Sequence, residues 1–85
     1  MTNSVHTTVY KELIQRFVAV RNAAGLTQQA VADQLGKHQS YVAKVEGLER
    51  RVDIVELLQL AKAIGFDPMP VLRTAWTAIR RDGGE

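Results

Sequence analysis

Apolar side chains recur at three- and four-residue intervals through most of this chain, and each run is bounded by a glycine or a capping residue. Tyr10, Leu13, Ile14, Phe17, Val20 and Ala24 share one helical face with Arg21, which predicts a first helix over about Val9 to Ala24, stopped by Gly25. Thr27 is a good N-cap, and Val31, Ala32 and Leu35 follow at helical spacing, so a second helix of about two turns ends at Gly36. Beyond that corner Val42 and Val45 lie on one side of a third short helix, leaving Gln39, Ser40, Tyr41, Ala43 and Lys44 on its other sides. Asp53 followed by Glu56 reads as a capping box with aspartate in place of the usual hydroxyl. Ile54, Leu57, Leu58, Leu60, Ala61 and Ile64 then form the stripe of a fourth helix, up to Gly65. Asp67 and Pro68 are an N-cap and a first helical residue, and Val71, Leu72, Ala75, Trp76 and Ile79 carry a fifth helix to Arg80. Pro70 still lies in its first turn, where a missing N–H costs little. With no convincing strand, the pattern predicts an all-α, compact five-helix bundle.

The second and third helices form the most informative unit. From Thr27 to Gly47 they are two short helices joined at a glycine, with apolar residues where a helix-turn-helix needs them. Ala32 is small where the pair would cross, and a larger side chain there would wedge the helices apart. The third helix has a packed side and a polar side, so sequence-specific DNA binding is the leading reading. An ordinary helical hairpin is the alternative.

Composition narrows the remaining choices. Eighty-five residues make one small domain, 1–85, with a core over about 9–81 and polar or glycine-rich ends, 1–8 and 82–85, expected to fray. A chain of this size buries only roughly 60 to 65% of its unfolded surface. The absence of cysteine removes disulfides and thiolate metal sites, which suits a reducing cytosol. No run approaches the roughly 18 apolar residues of a membrane span, and Met1 to Thr8 lacks the basic start and apolar centre of a signal peptide. A cytoplasmic protein with no membrane partner is expected. The net charge is +2, divided as seven basic against four acidic residues up to Arg51 and four against five thereafter. A basic excess around the helix-turn-helix agrees with a few phosphate contacts but would not indicate them alone. His6 and His38 are too few and too far apart for a site, there is no Gly-rich phosphate loop, and no acid, base and nucleophile set stands out. No enzymatic activity, cofactor or metal is expected.

Arg21, Gly25-Leu26-Thr27-Gln28, Ala32, Gly36, Gln39-Ser40-Tyr41-Val42, Val45-Glu46, Glu49-Arg50-Arg51 and Leu57 to Ile64 together resemble the Cro/cI-type (XRE-type) helix-turn-helix regulators. The resemblance covers roughly residues 9 to 72. It implies a lambda-repressor-like bundle with the helix-turn-helix in helices 2 and 3, in agreement with the five segments read from periodicity. It also implies residue roles. Gln39, Ser40 and Lys44 match recognition-helix positions that reach base edges in the major groove; glutamine can pair bidentately with adenine, and lysine can donate to guanine. Gln28 matches a phosphate-contacting position. Lys37, in the turn, and Arg50 and Arg51, after helix 3, are placed to meet phosphates. Tyr41 has two readings, a hydroxyl contact to the sugar-phosphate backbone or packing on helix 2. His38 reads as a cap. Arg21 and Glu46 match a structural ion pair tying helix 1 to the end of helix 3.

Two departures from the family pattern stand out. The glutamate ending helix 3 is usually followed by any residue and then glycine, whereas here Gly47 comes at once and Leu48 holds the usual glycine position. Since leucine with positive φ is strained, Gly47 is expected to take the left-handed turn instead. His38 also stands where a short hydroxyl or carboxylate cap is commoner, so helix 3 is expected to start less rigidly.

Val71, Leu72, Trp76 and Ile79 give helix 5 more apolar surface than a small core needs, which points to a homodimer interface, unless Trp76 folds back to close its own core. A two-fold dimer presents its recognition helices about 34 Å apart and reads a pseudo-palindromic operator. The function expected is a DNA-binding transcriptional repressor or autoregulator; with no sensor segment, it would respond to its own concentration or to a protein partner. An antitoxin or a restriction-modification controller would use the same binding mode. A protein-binding module of the same fold is the second class.

Overall fold

The computed structural model describes residues 4–82, and residues 1–3 and 83–85 of the two tails lie outside the described residues. Five helices follow one another: α1 (Ser4–Ala23), α2 (Gln28–Leu35), α3 (Gln39–Glu46), α4 (Ile54–Ile64) and α5 (Met69–Asp82). Helix α1 begins five residues upstream of the expected Val9. Val9, 8% exposed, belongs to the buried stripe without marking the helix start; no glycine or proline precedes it to stop helical propagation.

The core forms where α1, α2, α3 and α4 meet. Ile14, Val31 and Val42 are its largest fully buried side chains, joined by Phe17, Ala32, Val45, Leu57, Leu60, Ala61 and Ile64. Phe66, between α4 and α5, meets Phe17 edge to face with ring centroids 5.0 Å apart, pinning that connection to α1. Helix α5 lies along α1.

The caps position the elements. Thr27 accepts a hydrogen bond from the backbone N–H of Ala30, and Asp53 and Glu56 close the anticipated capping box. At Gly36 the backbone turns left-handed, φ 68°, and the N–H of Lys37 returns to the carbonyl of Ala32, which reverses the chain between α2 and α3.

The end of α3 differs from expectation. Gly47 has φ −83°, and Leu48 carries the positive φ, 64°. The hydrogen bonds give the reason: the N–H of Glu49 bonds to the carbonyl of Lys44 and that of Leu48 to the carbonyl of Val45, a Schellman closure whose left-handed position falls on residue 48. Gly47 serves a different need. A Cβ there would lie 3.2 Å from the carbonyl oxygen of Ala43 and 3.3 Å from Oε2 of Glu49. The Leu48 side chain is 42% exposed, so little burial offsets its strain. Leu48→Gly is expected to stabilise the domain by about 0.5–1 kcal/mol, the left-handed penalty of ~1–2 kcal/mol less the greater chain entropy of glycine. Thermal melting checks this, with a rise of a few degrees expected.

Candidate nucleic-acid interface

The face of α3 opposite the core is built by what the core takes away. Val42 and Val45 are 1% and 2% exposed against α2, where Val31 and Ala32 are fully buried, so the short helix is fixed in rotation. Ser40 and Lys44 are left exposed and Gln39 half-buried, on the sides away from the core. His38 occupies the N-cap position, yet its side chain makes no capping hydrogen bond, so the capping role read from the sequence is not fulfilled. Imidazole nitrogens stand further from the backbone than the short oxygen acceptors that suit this position.

Arg21 and Glu46 form the anticipated ion pair. Nε of Arg21 donates to Oε2 of Glu46 at 2.6 Å and Nη2 to Oε1 at 2.9 Å, while Nη1 donates to the carbonyl of Leu26 at 2.7 Å. Arg21 is 8% exposed, the one charged residue among the buried ones described. Gln28 and Glu46 are also joined, Nε2 of Gln28 donating to Oε1 of Glu46 at 2.8 Å. Oε1 of Gln28 in turn accepts from Nε2 of Gln39 at 2.7 Å. Sequence reasoning placed Gln28 and Gln39 in separate roles and missed this link, because eleven residues and a turn separate them.

The loop after α3 is tacked down by two tyrosines. The phenol oxygen of Tyr10 accepts from the backbone N–H of Val52 at 3.3 Å, and the guanidinium of Arg51 lies 4.2 Å from the Tyr10 ring centroid. The Tyr41 ring receives both Lys37, at 5.0 Å, and Arg50, at 4.8 Å. Of the two readings of Tyr41, its half-buried ring clearly organises cations and packs against the core. Burial first, and then the Glu56 carboxylate, raise its pKa above the usual value, so the hydroxyl keeps its proton. Arg50 is also held by Glu56, through Nη2 to Oε2 at 2.9 Å and Nη1 to Oε1 at 3.2 Å. This partner was not foreseen; Glu49 and Asp53 are nearer in sequence. Glu56 thereby serves both Arg50 and the capping box, and chiefly the Arg50 hydrogen bond holds its carboxyl below the ordinary range.

The helix-turn-helix family matches residues 19–69, from the end of α1 to the start of α5. The chain belongs to that family. A solved structure, an XRE-family like protein from Pseudomonas syringae pv. tomato str. DC3000, is 36% identical, covers 87% of this chain and 90% of its own, and superimposes with a TM-score of 0.83. No curated protein matches the sequence. As an XRE-type domain the chain is a DNA-binding regulator in general role, and α2 and α3 are its helix-turn-helix pair.

Elsewhere in this XRE-type domain, the four apolar residues singled out on α5 divide. Val71 and Leu72 are half-buried against the domain's own core and Ile79 is half-buried, whereas Trp76 is 61% exposed and does not close the core. Among the described residues, no cluster of three or more metal-ligating side chains occurs, and no helix is long and apolar enough to cross a membrane.

Proposed function

We propose that this domain is a sequence-specific transcriptional repressor or autoregulator that inserts α3 into the DNA major groove and reads a pseudo-palindromic operator as a homodimer. The observation that carries this reading is the division of α3. Val42 and Val45 lock its inner face to α2, while Gln39, Ser40 and Lys44 remain on the outer side with base-reading chemistry. Lys37, Arg50 and Arg51 flank that face on their tyrosine supports and supply phosphate contacts, as Gln28 and the protonated Tyr41 hydroxyl do from α2 and α3. The exposed indole of Trp76, with Val71, Leu72 and Ile79 beside it in the stripe of α5, supports a dimer contact through that helix.

In vitro selection of random double-stranded DNA by the purified protein at physiological salt tests the proposal. Enrichment of a two-fold symmetric site is the expected result. Failure to enrich any site would move the reading to a protein-binding module of the same fold. The flanking cations carry a separate prediction: Lys37→Ala and Arg51→Ala should each weaken binding to all sequences alike and flatten the slope of log K against log salt by about one unit. A change in base preference would place either residue on the base edges instead.

A further inference from the structure

Beside the recognition face, where the end of α2 and the turn meet α4, lies a cleft of about 550 Å3. Lys37 lines it from the turn and Lys62 from the last turn of α4. Gln34 and Gln59 add one carboxamide from each helix, and Tyr41 reaches in from α3. Among the described residues no carboxylate lines the cleft. We propose that it binds the phosphate group of a small metabolite of nucleotide size, and that the bound phosphate draws Lys37 away from the DNA backbone. The antagonism rests on the DNA-binding reading proposed above; the site does not.

Two ammonium groups that share a cleft repel each other, and each carries donors only. The carboxylates best placed to neutralise them are engaged elsewhere. Glu56, whose field reaches Lys37, accepts from both terminal nitrogens of Arg50 and from the backbone N–H of Asp53. Asp33, next to Gln34 in α2, accepts from Nε2 of Gln29 at 2.8 Å. Among the described residues neither Lys37 nor Lys62 forms an ion pair. The ammonium of Lys37 instead stands 5.0 Å from the Tyr41 ring centroid, a ring it shares with a second cation, Arg50. A terminal phosphate carries ~1.5–2 negative charges at neutral pH and three strong acceptor oxygens, so one group answers both lysines, where a carboxylate brings a single charge. The space admits more than the bare anion, since pockets of ~300–1,000 Å3 hold ligands of drug size. Half-buried Leu35 and Ala63 supply an apolar wall, and each carboxamide offers a donor and an acceptor to sugar hydroxyls or ring nitrogens. Lys37 thus serves two anions that cannot hold it together, the operator backbone and the ligand.

Titration of the purified protein with ADP, without DNA and at constant ionic strength, tests the site by heteronuclear NMR. Shifts centred on Lys37, Tyr41 and Lys62 are expected, and none with adenosine, which lacks the phosphate. Lys62→Ala should weaken ADP binding roughly tenfold, the loss of one charge-assisted hydrogen bond. Without ADP this variant should keep wild-type operator affinity and salt slope, because Lys62 is exposed and lies outside the proposed DNA contacts. ADP at a concentration that saturates only the wild type should weaken operator binding about as much as Lys37→Ala does, and should have little effect on Lys62→Ala. Absence of the ADP shifts would overturn the site. Equal inhibition of wild type and Lys62→Ala would reduce ADP to a general electrolyte and overturn it as well. A flatter salt slope for Lys62→Ala without ADP would give the cleft to the phosphates of DNA itself, again against the proposal. ADP binding by a protein that enriches no DNA site would overturn the regulator reading and leave the phosphate site standing.

Discussion

Glu46→Ala is expected to cost about 3–5 kcal/mol of folding stability, the loss that follows when one partner of a buried ion pair is removed and the other stays behind. Arg21 is 8% exposed and spends Nε and Nη2 on Glu46, so the variant leaves a guanidinium held by the Leu26 carbonyl alone. It also deprives the Gln28 amide of its acceptor. A domain of 85 residues has a total stability of roughly 4–13 kcal/mol, so the variant should be at or near half-unfolded well below the wild-type melting temperature. Urea unfolding followed by circular dichroism measures the difference. A second variant separates charge from shape: Glu46→Leu combined with Arg21→Met removes both charges and should recover most of the loss. A single-variant cost below about 1 kcal/mol would mean that water reaches the pair in solution.

The triple variant Gln39→Ala, Ser40→Ala, Lys44→Ala should abolish operator preference while leaving the fold intact. Each good side-chain contact to a base edge is worth roughly 1–3 kcal/mol, so three removed together approach the whole gap between specific and non-specific binding, ~4–10 kcal/mol. Stability should change little, because none of the three belongs to the buried core and alanine is the strongest helix former. Binding to a selected operator and to unrelated DNA, measured at one salt concentration, should converge on the same affinity. Operator preference that survives the triple variant would assign base reading to another face.

Periodicity and caps made all five helices legible in the sequence, because buried stripes and their boundaries are local signals. Helix ends were less so. Among the residues whose burial is described, Val9 is the first buried one of α1, but it is not the first helical one; no cap or glycine marks the helix start in the sequence. At the end of α3 a residue preference argued for Gly47 in the left-handed position, but the Schellman hydrogen bonds count residues from Lys44 and Val45, and that count lands on Leu48. The Arg21–Glu46 pair was legible through family resemblance alone. Its extension through Gln28 to Gln39, the Arg50–Glu56 pair and the tyrosine supports were not, since each joins residues whose proximity depends on how two helices cross. Tyr10 was legible only as part of an apolar stripe; its hydroxyl contact to Val52 depends on where the loop passes.

Trp76 is the only tryptophan in the chain, stands 61% exposed, and sits on a helix that packs along α1 and, among the described residues, makes no comparable contact with α2 or α3. Its fluorescence is therefore a built-in optical probe that separates two events. Self-association through α5 should shift emission to the blue as protein concentration rises, because the indole leaves water. DNA docking on α3 by a domain already at its final oligomeric state should leave the spectrum in place. Titrated in the two directions, one native fluorophore gives the order in which assembly and operator binding occur, with no label attached to the surface that meets DNA.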